Sequence, residues 1–242
     1  MTINWMLVLI GLSAAVILLL RDWRWTVPAL LINAVAVALF IAEQQFVSPD
    51  LVLGPFQIST LVLVKLITGV AVTLILGITA LTFANEYGLE QLDEFGLAEL
   101  RRAARAAQRQ QAAAPVQLGD FVLPFWAGVL ALLASLTLPR IYPIAPTEAS
   151  DFAWYWLALT GLLTLATASD LLKIGLGLLL CVSGIDLLYT AVVSTPGASG
   201  LNVAPLVLLS LFNILLALAV AYLSGLLYGR LKTLELSELY RR

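Results

Sequence analysis

The residue with the clearest chemical character is Asp186. It lies within Leu171 to Val193, LLKIGLGLLLCVSGIDLLYTAVV, a run that is long and apolar enough to cross a bilayer, which takes about 20 residues at roughly 1.5 Å each. A carboxylate in hydrocarbon costs about 2.5–3.5 kcal/mol on insertion scales, so it must face protein or water, and function is its default reading. The chemistry open to it is proton relay: a carboxylate that takes and gives up a proton, with its affinity set by desolvation and by a cation such as Lys65. Lys65 is itself inside an apolar run, about ten residues from Phe56 and so expected near the midplane. Asn213 is placed on a neighbouring antiparallel helix at a depth similar to that of Asp186 and completes the candidate relay set of Asp186, Lys65 and Asn213. The structural alternative for each residue stays open. Asp186 could be a paired or protonated acid that fixes packing, Lys65 could snorkel to an interface, and Asn213 and Asn33 could be interhelical hydrogen-bond glue.

Helical spacing divides the Asp186 run into faces. Gly175, Ser183, Asp186 and Thr190 fall near one side, and Gly177, Cys181 and Gly184 near another. One side is polar, and the other is small enough for close approach of a second helix.

These residues need helices to hold them. The chain has 242 residues, 61% hydrophobic and 12% charged, with apolar residues in runs of span length. The expectation is an all-α polytopic membrane protein of about seven transmembrane helices. The spans are read at about Trp5–Leu20, Val27–Ile41, Phe56–Phe83, Phe121–Leu138, Phe152–Ala168, Leu171–Val193 and Val203–Tyr228. The first begins close to Met1 with no basic residue ahead of it and is expected to be retained rather than cleaved as a signal. Pro28 suits the first turn of the second span, Pro49 and Pro55 interrupt the chain before the third, and Trp154 and Trp156 read as interface anchors of the fifth.

Basic residues set the expected orientation. With the N-terminus outside and the C-terminus cytoplasmic, the inner side collects Arg21, Arg24, the cluster from Arg101 to Arg109, Lys173 and the basic residues from Arg230 to Arg242, leaving Arg140 outside. The organisation read from this is a three-helix part at 1–84, a charged amphipathic connector on the cytoplasmic side at 85–119, a fourth helix with its outer loop at 120–150, and a second three-helix part with a polar tail at 151–242. The connector runs from acidic (Glu86 to Glu99) to basic (Arg101 to Arg109), an order that suits a helix dipole; it reads as a docking helix or a solvated linker. A slight parallel duplication of spans one to three in five to seven is suggested by an acid in each first turn, Asp22 and Asp170.

Composition also excludes chemistry. One cysteine, Cys181, permits no internal disulfide or cysteine metal cluster, and the absence of histidine removes histidine-held haem, chlorophyll and metals. No nucleophile–base pair or phosphate loop is found, so the chain is not expected to be an enzyme by itself, nor to carry a cofactor or metal.

With those residues in place, SGIDLLYTAV (Ser183 to Val192) resembles the second helix of the K subunit of complex I, where a glutamate stands at the position of Asp186. The ending KTLELSEL (Lys232 to Leu239) resembles the polar tail of that family and of its relatives, the Mrp antiporter C subunit and hydrogenase-4 component E. Component E is similar in size and adds a span with a buried lysine, to which Lys65 would correspond. The second membrane glutamate of the K subunit has no acidic counterpart; Asn213 is the polar residue near its place. The resemblance makes 151–242 the K-subunit-like part. It implies a small multi-pass subunit of a proton- or cation-translocating complex in the plasma (inner) membrane, with other membrane subunits and the lipid bilayer as partners and no nucleic acid. Two other readings remain: a purely structural subunit of a respiratory or photosynthetic complex, and an autonomous small-solute transporter.

Overall fold

The computed structural model describes residues 4–20, 22–44, 50–53, 56–89, 118–168, 170–193 and 203–231. The connector's centre and the polar tail lie outside these residues, as does most of the basic cluster behind the orientation reading. Among the described residues the chain forms α1 (Trp5–Leu19), α2 (Trp23–Glu43), β1 (Asp50–Leu53), β2 (Phe56–Ser59), α3 (Thr60–Leu89), α4 (Leu118–Ile141), α5 (Glu148–Ala166), α6 (Leu171–Val193) and α7 (Val203–Leu231).

The protein is an all-α polytopic membrane protein in architecture. Helices α2, α3, α4, α6 and α7 are each long and apolar enough to cross a bilayer. α1 has 15 residues, about 22 Å of helix, and α5 gives part of its first turn to Glu148 and Asp151. The outward faces carry large apolar side chains, among them Leu123, Trp126, Leu130 and Leu208, as a surface solvated by lipid allows.

The helices start where a side chain can satisfy the free amides of a first turn. Asn4 accepts from the amides of Met6 and Leu7 at 3.0 and 3.2 Å, Asp22 from Arg24 at 3.0 Å, and Thr147 from Ser150 at 3.2 Å. The Asp170 carboxylate accepts from the Lys173 amide at 2.7 Å. Asp22 and Asp170, the acids behind the suggested duplication, are therefore alike because both open a helix.

Two corrections concern helix ends. α2 begins at Trp23, so Pro28 lies inside the helix rather than in its first turn, and its missing N–H leaves the carbonyl one turn earlier without the usual helical donor. The third span does not begin at Phe56. Residues Phe56–Ser59 form β2, paired antiparallel with β1 in the register Asp50 with Ser59 and Leu53 with Phe56, and α3 follows at Thr60.

Packing places α1, α2 and α3 side by side in one layer and α5, α6 and α7 in a second. The layers close on each other where α1 meets α5 and where α3 meets α7, while α4 lies outside against α5 and α1. Thr147 at the start of α5 donates to Gln44 at the end of α2 at 3.4 Å, which puts these two helix ends on the hairpin side of the bundle. Small residues set the spacing within layers. A Cβ on Gly161 of α5 would come within 2.6 Å of the Cys181 backbone nitrogen on α6, and one on Gly69 of α3 within 2.4 Å of the Ala34 Cβ on α2.

Trp156 is not an interface anchor. It is buried and stacks on Phe152 with ring centroids 6.4 Å apart. Trp154 instead donates its indole N–H to Asp151 at 3.0 Å, and the same buried carboxylate accepts from the amides of Ile144 (3.2 Å) and Ala145 (2.8 Å). This carboxylate fastens the proline-broken loop to the head of α5.

Candidate functional site

The site is built by four helices, two from each layer. Lys65 is the sixth residue of α3 and so lies about 7.5 Å from the start of that helix, not ten residues into a span. The intervening strand accounts for the difference. Asp186 is seven residues from the end of α6, about 10 Å from the same side. The site therefore lies nearer the hairpin side than the opposite one.

Lys65 and Asp186 meet directly. The Nζ of Lys65 donates to Oδ2 of Asp186 across the layer boundary, with Lys65 8% and Asp186 4% exposed. Two opposite charges leave water here together, and their attraction in a low dielectric offsets much of the cost each would meet alone. The other carboxylate oxygen, Oδ1, has no hydrogen-bond partner among the described residues.

A cavity of about 60 Å³ opens beside the pair. Its polar lining comes from Asn33 of α2, Lys65 and Thr68 of α3, Ser183 and Asp186 of α6, and Asn213 of α7, while Leu30, Val72 and Leu179 contribute apolar walls. Gly69 lines it too, and its lack of a side chain lets α3 lie against Ala34 there. The Thr68 hydroxyl donates to the Val64 carbonyl at 2.7 Å, and the Thr190 hydroxyl to the Asp186 carbonyl at 2.7 Å, each within its own helix.

All three relay candidates thus line one cavity. Asn213 is 6% exposed, and its amide oxygen has no partner among the described residues. Asn33 does act as glue: its amide donates to the Ser13 hydroxyl at 2.9 Å and to the Ile10 carbonyl at 3.4 Å, joining α2 to α1. On α6, Ser183 and Asp186 face the cavity and Gly175 packs against Val220 of α7, whereas Gly177 and Gly184 face α5. The Cys181 thiol, half-buried on that second face, donates to the Ala158 carbonyl at 3.5 Å.

Sequence reasoning missed Thr68, Gly69 and the apolar walls. A threonine or glycine in an apolar helix carries no signal until its neighbour is known, because threonine satisfies its own hydroxyl within the helix. Among the described residues no group of three or more carboxylate or thiol side chains is placed to hold a metal ion.

Among the described residues, fold and site together define a helical membrane protein with a charge pair buried between its two layers. No family model matches the chain, and no curated protein or solved structure matches it.

Proposed function

We propose that this chain is a small membrane subunit of a proton- or cation-translocating assembly of the complex I-like, membrane-hydrogenase-like or Mrp-like kind, in which Asp186 is a buried proton relay, Lys65 tunes it and Asn213 stands beside it. The observation that carries this is the half-paired carboxylate: Oδ2 of Asp186 is held by Lys65, and Oδ1, without a partner, belongs to a side chain that lines a polar cavity.

Such a carboxylate has two states that its surroundings can tell apart. Ionised, it matches the charge of Lys65. Protonated, it is neutral and leaves the ammonium without a counter-charge, so each proton taken up weakens the contact between α3 and α6. That couples protonation to the layer boundary. The deciding measurement is ion pumping by the intact assembly carrying Asp186→Asn, which removes the titration, alongside Asp186→Asn with Lys65→Met, which removes it without leaving the ammonium unmatched. Pumping is expected to be lost while assembly persists. Unchanged pumping would reject the relay and leave the pair as a scaffold contact.

A further inference from the structure

We infer that the cavity beside Asp186 is a water chamber, blind at the end away from the ion pair. Its chemical requirements follow from the side chains that line it. Two buried atoms lack partners there, Oδ1 of Asp186 and Oδ1 of Asn213, and both are hydrogen-bond acceptors. The occupant must therefore donate, since a buried acceptor left without a hydrogen bond is costly.

The occupant is also neutral. The charge of Asp186 is already matched by Lys65, so a cation would add uncompensated positive charge to a low-dielectric interior and an anion would meet two acceptor oxygens. Size completes the description: a cavity of about 60 Å³ takes a few water molecules, each needing about 10–15 Å³ of such space. A small neutral donor present on both sides of every membrane is water.

The shape gives the chamber a direction. Its lining on three helices spans Leu30 to Val37, Lys65 to Val72 and Leu179 to Asp186, each about 10 Å long. The ion pair sits at the hairpin end of these stretches. Leu30, Val72 and Leu179 sit at the far end, and one turn beyond them the buried side chains of Val27, Leu76 and Leu176 form an apolar layer, with Val220 against Gly175 at the same level. The side chains of that layer offer water no polar partner.

The use of such a chamber rests on the relay reading, in which its water would carry the proton to and from Asp186. Its existence rests on the two acceptors alone. The test is X-ray hydroxyl-radical footprinting of the native protein in lipid nanodiscs, which oxidises side chains next to bound water. Leu30, Val72 and Leu179 are expected to oxidise several-fold faster than Leu76, Leu176 and Val220, which are equally buried. Asn213→Leu, which removes one acceptor and fills space, is expected to bring the lining rates down to those of the apolar layer while exposed Leu208 is unaffected. Background rates at all six native positions would overturn the chamber, and equal oxidation of the apolar layer would overturn its blind end. Because the readout is water contact and not ion flux, either result leaves the Asp186→Asn pumping test to decide the relay by itself.

Discussion

Asp186 and Lys65 are each expensive in hydrocarbon and affordable only together. Removing one partner of a buried pair leaves a bare charge and costs about 3–5 kcal/mol, whereas replacing both by neutral side chains of similar volume is often close to neutral. Lys65→Met is therefore expected to lower stability by about that amount, and Lys65→Met combined with Asp186→Asn to recover most of it, as measured by denaturant unfolding in detergent. A double variant as unstable as the single one would show that the pair does not act as a unit. Both charges were legible in the sequence because each interrupts an apolar run. Lys65 could be named as a cation able to tune Asp186, but the direct contact could not be read, since 121 residues separate them and, among the described residues, α4 and α5 lie between. Asn213 was legible as polar, but the unpartnered state of its oxygen depends on what surrounds it in three dimensions.

The contact between α5 and α6 depends on the absence of side chains. Any Cβ on Gly161 meets backbone of α6, which cannot move aside as a flexible side chain would. Gly161→Val is expected to cost about 1–3 kcal/mol in the same unfolding experiment. A Cβ on Gly225 of α7 would meet nothing within 4 Å, so Gly225→Ala is expected to gain about 0.5–1 kcal/mol from helix propensity alone. At the head of α5, Asp151→Ala would leave the amides of Ile144 and Ala145 and the indole of Trp154 without their acceptor. Amide hydrogen exchange at Ile144 and Ala145 is expected to accelerate by at least tenfold, which corresponds to about 1.4 kcal/mol of lost protection. Helix α6 was read to the residue because its acid cap and apolar run are both sharp. The ribbon was not read, although LVLGPFQI places Gly and Pro between two short apolar stretches, because the same residues also suit the end of a long apolar span.

At the scale of the whole molecule, two layers enclose the charge pair while the outward faces carry large apolar side chains. The fold class was legible because apolar runs of span length admit few other structures; the arrangement of the layers was not, because helices in lipid choose neighbours by shape rather than by hydrophobicity. A subunit of a larger assembly should bring its partners with it. Affinity purification of the tagged chain in mild detergent, followed by mass spectrometry, is expected to recover large antiporter-like or hydrogenase-like membrane subunits. A protein that elutes alone and stable would favour the autonomous transporter instead.

The hairpin has a mechanical meaning. Ser59 is paired in the ribbon and Thr60 already belongs to α3, so no slack separates the strands from the helix that carries Lys65. The α-helix is stiff along its axis, and Lys65 is less than two turns from the joint. A tug on the ribbon therefore acts as a push-rod on the ammonium.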